Sequence, residues 1–193
     1  EKGQSLRKVC SNKEKIELAR EGFLSSKPLI YVANIGEDDL ISPSSSSNSL
    51  RDYALDKQIK LIKICARLEA ELAELSPEEG KEFLKELKIE ELGTGKLIQQ
   101  TYNLLNLITF FTIAGGKEAK AWPIPRGTTV IQAAGKVHSD MEKGFICAEV
   151  VPVSSLLKIG STKQAKEEGK VRIEGKDYVV EDGDVIHFKF RVS

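Results

Sequence analysis

The sequence has no run of about 18 apolar residues, so no membrane-spanning helix is expected. It has no excess of either charge: Lys+Arg and Asp+Glu both number 29. No global field therefore favours wrapping nucleic acid or lying on an anionic membrane, and any RNA contact must come from a local patch. Cysteine is scarce. Cys10, Cys65 and Cys147 stand far apart and never in Cys-x-x-Cys spacing, which excludes a zinc or dithiol motif and points to reduced cytosolic thiols. The opening Glu1-Lys2-Gly3-Gln4 lacks the charged-then-apolar layout of a signal peptide, so a cytoplasmic protein is expected. Because the first residue is Glu1 and not a methionine, a processed or partial chain is expected.

The 193 residues suffice for one or two small domains with a real core. Over residues 6–24, apolar Leu6, Val9, Ile16, Ala19 and Phe23 recur at helical intervals and predict one amphipathic helix. Ser26-Lys27-Pro28 breaks it, and the apolar run 29–33 predicts a strand buried on both faces. The serine-rich tract 42–49 reads as a mobile surface loop. A helix over 50–57 and a strand over 59–64 continue a strand-loop-helix-strand rhythm, half of a parallel α/β sheet. Helices are predicted over 69–75, 77–87 and 94–106, the middle one capped by Ser76, Pro77 and Glu79. After Leu107 the pattern turns to short strands over 110–113, 117–122, 145–151, 170–173 and 185–191, with one helix over 129–138. The expected class is α/β followed by α+β.

Asn34-Ile35-Gly36-Glu37 lies where a parallel strand gives way to a loop, the edge at which open α/β sheets bind ligands. Many P-loop GTPases place Asn-Lys-x-Asp there to read guanine. Here Ile35 and Glu37 stand in the Lys and Asp positions, which weakens guanine preference and makes ATP at least as good a ligand. Taken alone, the four residues read better as a turn after a strand. Cys65-Ala66 ends the next strand, where the same enzymes bring backbone N–H groups towards the base.

Other candidates read as structure. Gly93-Thr94-Gly95-Lys96 is followed by Leu97, and Glu90 stands where a phosphate-cradling loop needs its first glycine, so a helix start is expected. His138 with Asp140, and His187 with Asp184, offer too few ligands for a metal. Asp182-Gly183-Asp184 reads as a tight turn. From 106 to 193 the sequence holds 13 Lys+Arg against 11 Asp+Glu, and Lys158, Lys163, Lys166 and Lys170 cluster as a solvated face or an RNA-phosphate contact. Trp122 reads as core rather than as a base-stacking platform.

Three stretches in the first half carry a specific likeness: residues 27–34 with Glu37, Cys65-Ala66, and residues 69–75. In the second half the corresponding stretches are 105–107, 110–112, 120–122, 132–138, Asp140, 142–146, 148–150, 174–178 and 181–184. Together they resemble the YchF/Obg-like ATPase family over nearly the whole chain. The resemblance implies the returning helix of a helical arm over 1–26, the C-terminal half of a P-loop nucleotidase domain with its parallel sheet over 27–105, and a ubiquitin-like β-grasp TGS domain over 106–193. It implies a ribosome-associated, cytoplasmic and monomeric nucleotidase that binds and hydrolyses ATP, or GTP, with Mg2+ in the full-length protein. Asn34, Ile35 and Glu37 would address the base from one loop, and Cys65 and Ala66 from the next through their backbone. No Gly-x-x-x-x-Gly-Lys-Ser/Thr occurs, so no catalytic residue and no metal ligand is assigned, and these residues alone are expected to be inactive. The alternative is a non-catalytic RNA- or ribosome-binding module built on the TGS domain.

Overall fold

Ser11 divides the helix that the apolar spacing predicts over 6–24. The structure, a computed structural model, describes residues 6–114 and 118–191. The opening residues 1–4, Lys117 at the start of an expected strand, and the residues after 191 lie outside the described residues. Two helices replace the one expected, α1 (Leu6–Val9) and α2 (Asn12–Arg20), followed by a 3-10 turn at Leu24–Ser26. Ser11 caps α2: its N–H donates to Glu14 Oε2 at 2.8 Å, and its Oγ accepts from the Glu14 N–H at 3.4 Å. The apolar stripe is not covered by the described residues, since Val9, Ile16 and Phe23 remain 55%, 56% and 51% exposed.

The protein forms two compact units that part between Leu104 and Leu105. In the first, β1 (Ile30–Asn34) and β2 (Lys60–Ile64) pair in parallel, with Asn34 opposite Ile64. Between them lie α3 (Glu37–Ile41) and α4 (Ser45–Asp56). After β2 come α5 (Ala66–Ala73), α6 (Pro77–Glu86) and α7 (Gly93–Leu104). Two expectations are corrected. β1 is not buried on both faces: Ala33 is 7% exposed but its neighbour Val32 is 48% exposed, because β2 is its one partner among the described residues. The serine tract is not a loop but the first turn of α4. Ser44 Oγ accepts the Ser47 N–H at 3.2 Å, and the Ser44 N–H donates to Asp39 Oδ1 at 2.6 Å. Serines disfavoured inside helices thus serve as a cap, and Ser47 is buried. α6 starts as predicted, with the Ser76 N–H donating to Glu79 Oε2 at 3.0 Å and Pro77 at its first position. Cys65, Leu68 and Leu72 form the core here, packed against Leu40, Leu84, Leu87, Ile89 and Leu92.

The second unit contains β3 (Leu107–Ala114), β4 (Glu118–Pro125), α8 (Val130–Val137), α9 (Ser139–Lys143) and β5 (Phe145–Pro152). It continues with α10 (Val153–Ile159), α11 (Thr162–Glu167), β6 (Arg172–Glu174) and β7 (Asp184–Phe190). The sheet runs β4-β3-β7-β5-β6, antiparallel except for the parallel pair β3–β7. Short α9, α10 and α11 were not expected from the pattern. Val130, Ala133 and Ala134 are fully buried, and their small size lets α8 approach Phe110, Val150 and Ile186 on one sheet face. On the other face Val151 and Val185 pack with Ala165, Leu156 and Ile159 of α10 and α11. The 182–184 turn is structural as predicted. Gly183 takes φ +84°, its N–H donates to Thr109 O at 2.8 Å, and Asp182 Oδ1 accepts the Thr109 N–H at 2.8 Å. Asp184 is 1% exposed, and its Oδ2 accepts the Tyr178 hydroxyl at 2.8 Å and the Glu181 N–H at 2.9 Å. Burial, then that hydrogen bond, pushes the Tyr178 phenol well above its ordinary value.

Candidate functional site

Parallel pairing brings the two strand ends together. Ile35 extends the ladder by one residue, its N–H donating to Ile64 O at 2.8 Å, and the backbone then turns through Gly36 into α3. The Asn34 amide reaches across to the next loop: its Oδ1 accepts the Ala66 N–H at 3.2 Å, a link between residues 32 apart in sequence. Its NH2, two further donors, makes no bond to the protein among the described residues. Asn34 and Ala66 are both exposed, and Ile35 is half-buried beside them.

Cys65 and Glu37 stand differently. Cys65 is 4% exposed and belongs to the core with Leu68 and Leu72, while its carbonyl accepts the Glu69 N–H at 3.0 Å as α5 begins. Glu37 opens α3 exposed, in an acidic first turn with Asp38 and Asp39. Arg67, which sequence reasoning missed, adds a cation to this rim. Its Nε pairs with Glu71 Oε1 at 3.0 Å, and this bond first, with Glu37 acting at longer range, raises the guanidinium above its ordinary value. The signal for Arg67 was its i,i+4 spacing to Glu71 together with its place directly after Ala66.

The rim therefore offers amide donors at Asn34, a carboxylate at Glu37 and a guanidinium at Arg67 around two strand ends. Such a set can bond a planar heterocycle along its edge, since a purine N7 accepts from an amide and an exocyclic amine donates to a carboxylate. A cavity of about 530 Å³ lies elsewhere in this unit, along Lys60, Lys63, Glu69, Ile89 and Lys96; of the five predicted site residues it touches Cys65 alone.

The remaining candidates fall to structure. Gly93 begins α7, and the N–H groups of Gly93 and Thr94 donate to the Glu69 carboxylate at 2.8 and 3.1 Å, so a side-chain anion already holds the helix start. His138 caps α9, its Nδ1 accepting the Asp140 N–H at 3.2 Å. His187 and Asp184 do not meet as a pair: Asp184 is bonded to Tyr178, and His187 lies opposite Glu149 in the strand register. Trp122 packs against the core, its ring 6.4 Å from Phe110 and its Nε1–H donating to Thr112 Oγ1 at 2.9 Å. Lys166 is tied to Glu149 at 2.7 Å and Lys163 stands 4.0 Å from Glu167, so half of the predicted lysine cluster is engaged within the unit. Among the described residues there is no group of three or more His, Cys, Asp or Glu that could hold a metal ion. No helix among them is long and apolar enough to cross a membrane.

Comparison with known proteins agrees over both units. Residues 107–191 match the family model YchF-GTPase_C, described as a protein of unknown function (DUF933). The sequence is 49% identical over 172 residues to the ribosome-binding ATPase YchF of Bacillus subtilis (strain 168), covering 88% of this chain and 47% of that protein. It is 44% identical over 182 residues to the ribosome-binding ATPase YchF of Escherichia coli O157:H7, covering 94% of this chain and 50% of that protein. The solved structure of the Schizosaccharomyces pombe YchF GTPase superposes with a TM-score of 0.80 at 32% identity, over 96% of this chain and 50% of that one. The chain thus spans about half the length of the curated relatives it matches. With 49% and 44% identity over 88% and 94% of its length, and a matching fold over 96% of it, the chain belongs to the YchF family.

Proposed function

We propose that these residues are the base-reading and partner-docking portion of a ribosome-associated P-loop nucleotidase that binds and hydrolyses ATP, and GTP less selectively, in the cytoplasm. The observation that carries the reading is the Asn34 Oδ1 bond to the Ala66 N–H, which locks two parallel strand ends and leaves amide donors for a purine. Ile35 supplies an apolar flank, Glu37 a carboxylate suited to the adenine 6-amino group, and Cys65 and Ala66 the backbone of the second loop. The names of the relatives, ribosome-binding ATPase, support the activity and the partner. The sheet order β4-β3-β7-β5-β6, with the first and last strands parallel at its centre and α8 across one face, supports the TGS-type β-grasp reading of the second unit. We assign ribosome contact to that unit, the non-catalytic RNA- or ribosome-binding role being its share of the whole protein's work.

Without a phosphate-cradling loop these residues bind nucleotide weakly and hydrolyse none. Two-dimensional amide NMR on the 193-residue polypeptide with ATP, GTP and adenosine tests the reading. The expected result is saturable shifts at Asn34, Ile35, Glu37 and Ala66 that persist with adenosine and vanish in Asn34→Ala. Shifts confined to other residues, or none at all, would sink it.

A further inference from the structure

The sheet face of the second unit opposite α8 holds a cavity of about 300 Å³ between β5, β7 and α11. Its floor is aliphatic, from Ile113, Val151, Val171 and Val185, and its wall carries Glu149, Lys166 and His187. Glu149 occupies mid-sheet, paired with His187 across β7 and with Ile173 across β6, where an aliphatic side chain would suit the floor. It is instead a carboxylate, 18% exposed and flanked by two cations: Lys166 Nζ lies 2.7 Å from Oε2 and Lys189 Nζ lies 3.6 Å from Oε1. The Lys166 bond keeps Glu149 below the usual carboxylate range, and burial followed by Lys189 pushes His187 below its ordinary value.

An ion pair set into an apolar face adds little net stability compared with packed hydrocarbon. What this cluster does provide is both signs of charge beside an aliphatic floor, in a space at the lower end of the range for small-molecule sites, ~300–1,000 Å³. Oε2 is buried against Lys166, so Oε1, which Lys189 approaches to 3.6 Å, is the oxygen left for an incoming ammonium. The Lys166 ammonium, with three donors, remains for a carboxylate. We propose that this pocket binds a free α-amino acid with an aliphatic side chain. Its ammonium goes to Glu149, its carboxylate to Lys166, and its hydrocarbon lies on Val151, Val171 and Val185. This site is independent of the nucleotide-base reading, which concerns the other unit.

Amide NMR of the 193-residue polypeptide with L-leucine, N-acetyl-leucine and leucinamide tests it. The expected result is saturable shifts at Val151, Val185 and His187 with leucine. Removing either charge, as the two analogues do, weakens binding by about tenfold, the worth of one charge-assisted hydrogen bond. Glu149→Gln should weaken leucine by a similar factor while the Trp122 emission stays unchanged. If that variant fails to fold, Lys166→Met gives the same readout against the carboxylate. Absence of saturation at millimolar leucine, or affinity unchanged in both variants, overturns the proposal. So does N-acetyl-leucine binding as tightly as leucine, which would replace the free amino acid by the carboxyl end of a peptide.

Discussion

His187 lies in a desolvated position beside Lys189 and Lys166, with Glu149 facing it across the strand pair, and it titrates below its ordinary 6.5. As pH falls, the unfolded polypeptide takes up this proton first, so stability of the second unit declines from about pH 6.5 downward until the folded ring titrates too. Glu149, also held low, adds a second loss only as pH falls below 4.5. Urea midpoints read through Trp122, the single tryptophan, should therefore drop between about pH 7 and about pH 5.5, and His187→Gln should flatten that slope. An unchanged slope in the variant would remove His187 as the cause. The same scale shows what sequence can and cannot supply. The place of Asn34 at a strand end was legible, because the apolar run stops there. That its Oδ1 holds the Ala66 N–H, and that Arg67 faces the charge of Glu37, depends on residues brought near by the parallel pairing. His187 and Asp184, set aside in the sequence as too few for a metal, are also kept apart by the fold: Asp184 turns into the Tyr178 network while His187 lies opposite Glu149 in the strand register.

Two helical glycines make contrasting tests of the elements. A Cβ on Gly93 would stand 2.6 Å from Lys63 O, a backbone atom with nowhere to go, whereas one on Gly80 meets nothing within 4 Å. Gly93→Ala should destabilise the first unit by ~1–3 kcal/mol through overpacking at β2. Gly80→Ala in α6 should stabilise it by ~0.5–1 kcal/mol through the lost freedom of glycine. Denaturation followed by far-UV circular dichroism separates the two, and equal effects would contradict the close approach of α7 to β2. Element type was readable where a cap and an apolar rhythm agree, as at Ser76-Pro77-Glu79. It was misread where composition and capping compete. Five serines in the 44–49 stretch look like a loop, yet one serine oxygen on the Ser47 N–H and one aspartate on the Ser44 N–H suffice to start α4. The break at Ser11 escaped the same way, because the apolar spacing of residues 6–24 runs straight through a capping box.

At the scale of the molecule, each unit owns a hydrophobic core, Leu68 with Leu72 in one and Phe110 with Val150 and Ile186 in the other. Residues 105–193 expressed alone should unfold in one cooperative transition and keep the Trp122 emission of the whole protein; a broad, non-cooperative melt would show that the second core needs the first unit. The change of class near residue 107 was visible in sequence, because the periodicity switches there from helical to strand-like. The strand order was not, since nothing local says that β7 lies between β3 and β5. That order governs when the unit can form. Its two central neighbours, β3 and β7, are its first and last strands, so as the polypeptide leaves the ribosome the sheet stays open at its middle until Asp184–Phe190 has emerged. Folding of this unit must wait for nearly the whole of its length to be synthesised, and its rate is set by closing that long-range pair.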